Sequence, residues 1–364
     1  MEETLYWIWF LGLEKISVKQ KNLLLDRFGS PQCIYPMSGE SLKNTSILRK
    51  ENLDYFEQSK SLEKAHRSMD YIKDNDIHLM TREDPLFPEA LRNIYMPPVG
   101  LFAKGDLALL KDSIKIGIVG SRNPTVLGKK YAQTFASALS SVGMTVVSGL
   151  AAGIDGQSHW GSVEEIGGTI GVLGTGIDIC YPRSNQKLFD RMAERALILS
   201  EFALGAKPLP YHFPQRNRII SGLSQGVLVI EARKKSGSLI TVNHALEQGK
   251  NVYVIPGAIS ESQWAGGNQL LKEGAKLVTV PEDILEDYIV IDQRSKKDHA
   301  IQTDERILES PDEQRLYTLI KKGYRTIDEL VVQSELPVNT VNSLLTMMEI
   351  AEIIEVKYGN IVLV

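Results

Sequence analysis

At 364 residues the chain is long enough for two or three domains of about 100–200 residues each, and 43% hydrophobic with 24% charged residues is a globular mix that excludes wholesale disorder. The formal net charge of −4 conceals an asymmetry: residues 1–113 carry −2, residues 114–280 carry +6, and residues 281–364 carry −8. A polyanion site is admitted in the middle of the chain and discouraged at its end.

The chain opens MEETLYWIWFLGL, a short apolar run behind two glutamates with no small-residue cleavage site, which reads as a buried helix rather than a signal peptide. Residues 1–70 read as short amphipathic helices, with Leu5, Trp9 and Leu13 at helical spacing and Leu23, Leu24 and Phe28 before a Gly29-Ser30-Pro31 stop. An IHLM strand and the prolines Pro85, Pro88, Pro97 and Pro98 follow. From residue 114 to residue 280, apolar β-rich runs alternate with helical patterns: 114–120, 144–149, 169–174, 196–202, 226–232, 251–257 and 275–280. Strands that are apolar throughout, separated by helices, imply a parallel sheet covered on both faces. The fold class is therefore α/β, a doubly wound Rossmann-like sheet over residues 71–290. Residues 291–310 are polar and without apolar period, a linker. Residues 311–364 show three helices and two short strands, the winged-helix pattern. No apolar stretch approaches the roughly 20 residues of a membrane span. Two cysteines, Cys33 and Cys180, exclude a disulfide framework or a multi-cysteine zinc site and fit a cytoplasmic protein.

In an open parallel sheet, ligands bind beyond the carboxyl ends of the strands. There the sequence places Gly120-Ser121-Arg122, the run Ser148 to Asp155, Gly174-Thr175-Gly176, and Arg233-Lys234-Lys235-Ser236-Gly237-Ser238. Glycines and hydroxyls serve tight βα turns on geometry alone. They equally suit a phosphate-bearing ligand, and Arg122, Arg183, Arg216, Arg218 and the Arg233-Lys234-Lys235 run in the same connections favour the second reading. The segment Pro208 to Gly222 sets Phe213 beside Arg216 and Arg218, rings for bases and guanidinium groups for phosphates. The same residues also fit a ring packed beneath a loop with arginines paired to acids. A dinucleotide cofactor is disfavoured: the glycines of Gly117 to Arg122 miss the G-x-G-x-x-G register, and Ile179 takes the third glycine position after Gly174. No Walker lysine motif, H-E-x-x-H or nucleophile elbow occurs, and His159, near Asp155, reads as a helix-face residue bonded to backbone. Neither a cofactor nor a metal is expected.

Taken together, GSR, SGLAAGID, VLGTGIDICYP, SEF, FPQRNRIISGLS, SGSLIT, VIPG and GGNQLLKEGAKLV, in order over residues 114–280, closely resemble the DprA/Smf family (DNA processing protein A). The resemblance implies a non-enzymatic, homodimeric mediator. It would bind and protect single-stranded DNA in natural transformation and load RecA recombinase past single-strand-binding protein. Carried over residue by residue, DNA contacts fall on Arg122, Arg183, Phe213, Arg216 and Arg218, with Ser121, Lys235, Ser236 and Gly237 beside them. The dimer interface falls on Leu271 and Leu277. A lysine that one branch carries at Pro210 is absent. Residues 1–70 are similar to the family's SAM-like or helix-hairpin-helix-like cap, but Leu13 and Glu14 after Gly12 break the hairpin motif that grips a DNA backbone. The alternatives are a nucleotide-processing enzyme of the phosphoribohydrolase type, whose PGGxGT loop Pro256-Gly257-Ala258 does not match, and a protein-interaction scaffold. The helix expected to read a groove, Pro337 to Glu349, has no Lys or Arg, so a protein-contact or regulatory role is expected of the terminal domain.

Overall fold

The computed structural model describes residues 2–111, 113–288, 310–334, 336–350, 353–357 and 360–363. These belong to two compact units, residues 1–290 and residues 291–364. Apart from Ser310, the linker expected over 291–310 lies outside the described residues.

Six helices begin the chain: α1 (Glu2–Leu11), α2 (Val18–Phe28), α3 (Pro31–Ile34), α4 (Gly39–Lys43), α5 (Lys50–Gln58) and α6 (Glu63–Asp74). Ser17 starts α2 through a capping box with Gln20, and Gly29 ends it at φ +85°, where a side chain would be strained. Leu23, expected on the apolar face of α2, is instead 43% exposed, and Leu24 and Leu25 hold the core positions. At 100° per residue the buried arc of this helix admits Leu24 and Leu25 but not the leucine before them. The expected separate domain over residues 1–70 shares one continuous core with the α/β region. Trp9, Phe10 and Phe56 belong to the same apolar cluster as Phe102, Leu173, Leu188 and Ile198.

The α/β region runs β1 (Ile77–Thr81), α7 (Glu89–Arg92), β2 (Gly100–Gly105), β3 (Lys115–Val119), α8 (Val126–Ser141), β4 (Thr145–Ser148), α9 (Ile154–Ser162), β5 (Thr169–Val172), α10 (Gln186–Arg195), β6 (Leu197–Ser200), α11 (His212–Leu223), β7 (Gly226–Val229), α12 (Ser238–Glu247), β8 (Asn251–Val254), α13 (Ala265–Lys272), β9 (Lys276–Leu277) and α14 (Glu282–Leu285). The nine strands form one sheet in the order β1-β2-β6-β5-β4-β3-β7-β8-β9. From β6 to β9 all pairs are parallel, whereas β1 and β2 add an antiparallel edge on β6. Both faces are apolar. On β7, Val227 and Val229 pack to one side with Val147 and Ile219, and Leu228 faces the other with Ile118 and Phe135. The chain leaves β3 in one direction through β4, β5 and β6, then returns to β3's other side as β7. This reversal opens a crevice at the carboxyl ends of β3, β4 and β7, the place where such sheets hold ligands.

The second unit contains α15 (Pro311–Lys321), α16 (Ile327–Ser334), α17 (Val338–Ile350) and the antiparallel pair β10 (Ile354–Lys357) and β11 (Asn360–Leu363). Leu316, Ile320, Leu330, Val341, Leu345 and Met348 form its core with Ile354 and Ile361. It is a winged helix. Ser310 and Glu313 close a capping box at the start of α15.

Candidate nucleic-acid interface

The crevice is a cleft of about 580 Å³, a size typical of ligand sites. Two glycines let its walls approach. Gly153, at φ +82°, lies where a Cβ would fall 2.3 Å from the Ser121 carbonyl oxygen, and a Cβ at Gly120 would fall 2.6 Å from Ile154. The loops after β3 and β4 are thereby locked together, and the Ile154 N–H donates to the Ser121 carbonyl at 3.0 Å. This close approach holds Arg122 at the cleft wall, exposed.

Opposite stands the first turn of α11. Phe213 presses one ring edge on Gly174, where a Cβ would come within 2.8 Å of Cδ1. The Arg122 guanidinium lies 5.0 Å from the Phe213 ring centroid. The Tyr181 ring is 5.5 Å from the same centroid, tilted by 40°. Further along, Arg233 and Lys235 line the cleft as exposed cations, and Ser236 and Gly237 form the entry to α12. The Ser236 hydroxyl accepts the Ser238 N–H at 3.3 Å, while Gly237 leaves open space around its α-carbon. Ser121, Arg122, Phe213, Arg216, Lys235, Ser236 and Gly237 thus meet in one cleft.

The arginines singled out in the sequence separate into three kinds. Arg122 is exposed. Arg216 lines the cleft floor at 3% exposure, where its guanidinium donates to the carbonyls of Gly149, at 2.6 Å, and Val172. Burial lowers its pKa to about 10 against the opposing pull of Asp155. It braces the ends of β4 and β5. Arg218 does not reach the cleft. At 2% exposure it makes two 2.6 Å bonds to the Glu201 carboxylate and donates to the carbonyls of Met96 and Gln215, so the expected phosphate contact is corrected to a buried ion pair. Arg183 is exposed but outside the cleft lining, two residues beyond Tyr181, which lies within it.

The start of α8 already holds a carboxylate. The fully buried Glu231 carboxylate accepts from the Thr125 N–H and hydroxyl, both at 3.0 Å, against the unsubstituted Gly128. Asp155 is buried at the cleft floor, and burial pushes its pKa up while Arg216 and the N–H groups of Ala151 and Gly149 hold it down. His159 is fully buried. Its Nε2 accepts the Leu150 N–H at 3.2 Å and its Nδ1 meets the Thr169 hydroxyl at 2.7 Å; because that hydroxyl donates to the Val146 carbonyl, the ring proton resides on Nδ1. Desolvation, aided by Arg216, lowers its pKa to about 3. This histidine is a neutral structural bracket.

Arg233, at the head of the basic run singled out in the sequence, lines the cleft, and so does Tyr181, which sequence reasoning did not select although it stands in the CYP run. Of the two residues expected at a dimer interface, Leu277 is 51% exposed on edge strand β9, and Leu271 on α13 is half-buried against the sheet core. No described helix is long and apolar enough to cross a membrane.

Residues 78–289 match the family "DNA recombination-mediator protein A", and residues 301–360 match the DprA winged helix domain. The chain is 45% identical over 224 residues to the DNA processing protein DprA of Bacillus subtilis, spanning 62% of this chain and 75% of that one. To the DprA of Streptococcus pneumoniae it is 42% identical over 234 residues, spanning 64% and 81%. Its fold is similar to the X-ray structure of S. pneumoniae DprA, with a TM-score of 0.68 and 37% identity over 78% of this chain and 98% of that one. It is also similar to DNA processing protein A of Helicobacter pylori, whose structure concerns its single-stranded DNA binding mode, with a TM-score of 0.54 and 30% identity over 58% and 95%.

Proposed function

The chain belongs to the DNA recombination-mediator protein A family, and from that premise we propose that it binds single-stranded DNA as a non-enzymatic mediator, protecting incoming strands and loading a RecA-type recombinase on them past single-strand-binding protein during natural transformation. The observation that carries the reading is the placement of the Arg122 guanidinium 5.0 Å from the Phe213 ring at the wall of the cleft. Bases offer a flat apolar face and phosphates a charge. A cation beside a ring matches both within one nucleotide step. Exposed Arg233 and Lys235 extend the positive rim, while Asp155, the carboxylate in the cleft lining, is buried and bonded to backbone N–H groups. A strand therefore meets cations first.

His159, the histidine near Asp155, has both ring nitrogens engaged inside the protein, which supports binding rather than turnover of nucleotides. In this reading two copies pair through the face carrying Leu271 and Leu277, and the setting is the cytoplasm. The test is recombinase assembly on single-stranded DNA already coated with single-strand-binding protein. The parent chain is expected to shorten the assembly lag, and an Arg122→Ala variant to lose that effect. A parent chain that leaves the lag unchanged, or that steadily releases base or phosphate from nucleotides, refutes the proposal.

A further inference from the structure

Tyr181 stands in the connection between β5 and α10. The residue is 41% exposed, its hydroxyl makes no hydrogen bond among the described residues, and its ring contact is with Phe213 at 5.5 Å and 40°. Tyrosines that serve as packing residues bury the ring and satisfy the hydroxyl. This one stays partly exposed with its hydroxyl unpaired among the described residues, and it lines the cleft. Phe213 is gripped by its edge on Gly174, and the Arg122 guanidinium and the Tyr181 ring stand beside it. Two tilted aromatic planes beside one cation present diverging faces to anything planar that enters.

We propose that Tyr181 is a second base-stacking ring, forming with Phe213 one two-ring platform for consecutive bases of a single strand. The inference rests on the proposed single-strand binding at this cleft. Stacking on a side chain tolerates any base, because every base has a π-face, so the platform adds affinity without sequence preference. Rings in contact also act as a unit, and their removal is non-additive. A merely supporting Tyr181 would fill space beneath Phe213, a role that leucine also performs.

The experiment compares binding of oligothymidine with binding of an equally long strand that is abasic at every position, for the parent, Arg122→Ala, Tyr181→Leu, Tyr181→Phe, Phe213→Leu and the double leucine variant. Tyr181→Leu is expected to weaken oligothymidine binding by about 5- to 150-fold, the range for losing one stacked base, and to leave the abasic strand unaffected. Tyr181→Phe should bind both like the parent, and the double variant should lose less than the product of the two single losses. If Tyr181→Leu binds oligothymidine like the parent while Phe213→Leu and Arg122→Ala are impaired, the platform is wrong and the single-strand reading stands. If all three variants bind like the parent, that reading falls with it. Photo-crosslinking the parent to a strand carrying 5-iododeoxyuridine tests the contact with no variant at all. A crosslinked peptide containing Tyr181 is expected, and crosslinks confined to Phe213 overturn the proposal.

Discussion

Replacing Arg218 with methionine separates a folding arginine from a binding one. The change removes both 2.6 Å bonds to Glu201 and leaves that carboxylate, 4% exposed, without its partner inside the protein. An uncompensated buried charge costs about 3–5 kcal/mol. Lys21, itself buried with its pKa lowered to about 8 by desolvation, feels the Glu201 charge and offsets part of the loss, so the lower end of that range is expected. Adding Glu201→Leu to Arg218→Met should recover most of the stability, because an apolar pair replaces a buried ionic one. Recovery stays incomplete, since the Met96 and Gln215 carbonyls lose the Arg218 donors. The assay is urea unfolding of each variant beside a salt titration of strand binding in its folded range. The methionine variant should be markedly less stable yet keep the parent's salt slope. A variant as stable as the parent, with a slope shallower by about one unit, would place Arg218 on a phosphate and refute the assignment.

The buried neutral His159 predicts acid sensitivity with a definite sign. Its folded pKa, about 3, lies below the ordinary 6.5, so between those values the unfolded chain binds a proton that the folded chain does not. The stability this group contributes is complete above about pH 6.5 and is lost progressively as pH falls toward 3; in His159→Gln the slope of stability against pH should flatten by up to one proton in that window, and an unchanged slope contradicts the burial. Deleting residues 300–364 should leave single-strand affinity nearly unchanged, because α17 carries no Lys or Arg; a truncated protein that stays folded and loses most of its affinity would assign strand contacts to the winged helix.

Much of the fold is legible in residues 114–280, because a doubly covered parallel sheet demands apolar strands and the chain supplies seven such runs. Strand β2 escapes the same reading. Its GLFAKG is short, glycine-bounded and preceded by prolines, and it becomes a strand by pairing between β1 and β6, the latter nearly 100 residues onward. The cleft is legible as a set of loops and illegible as a set of contacts. Arg122, Arg216 and Arg218 are chemically identical in sequence. What distinguishes them is tertiary: Glu201 lies 17 residues from Arg218, and the carbonyls braced by Arg216 lie 44 and 67 residues away. Local spacing carries no trace of those partners. Tyr181 illustrates the converse. Its value comes from standing beside Phe213, 32 residues later, across a loop whose path the sequence does not specify.

The central claim, that a strand lies on the cleft with phosphates at Arg122 and bases at Phe213, is tested most directly by salt titration of oligothymidine binding to the parent, Arg122→Ala and Phe213→Ala. The account predicts a salt slope lower by about one unit for Arg122→Ala, since one phosphate contact is removed. For Phe213→Ala it predicts weaker binding, by about 1–3 kcal/mol, with the slope unchanged, since stacking releases no counterions. Folded variants that both bind like the parent at every salt concentration would contradict the account and move the strand off this cleft.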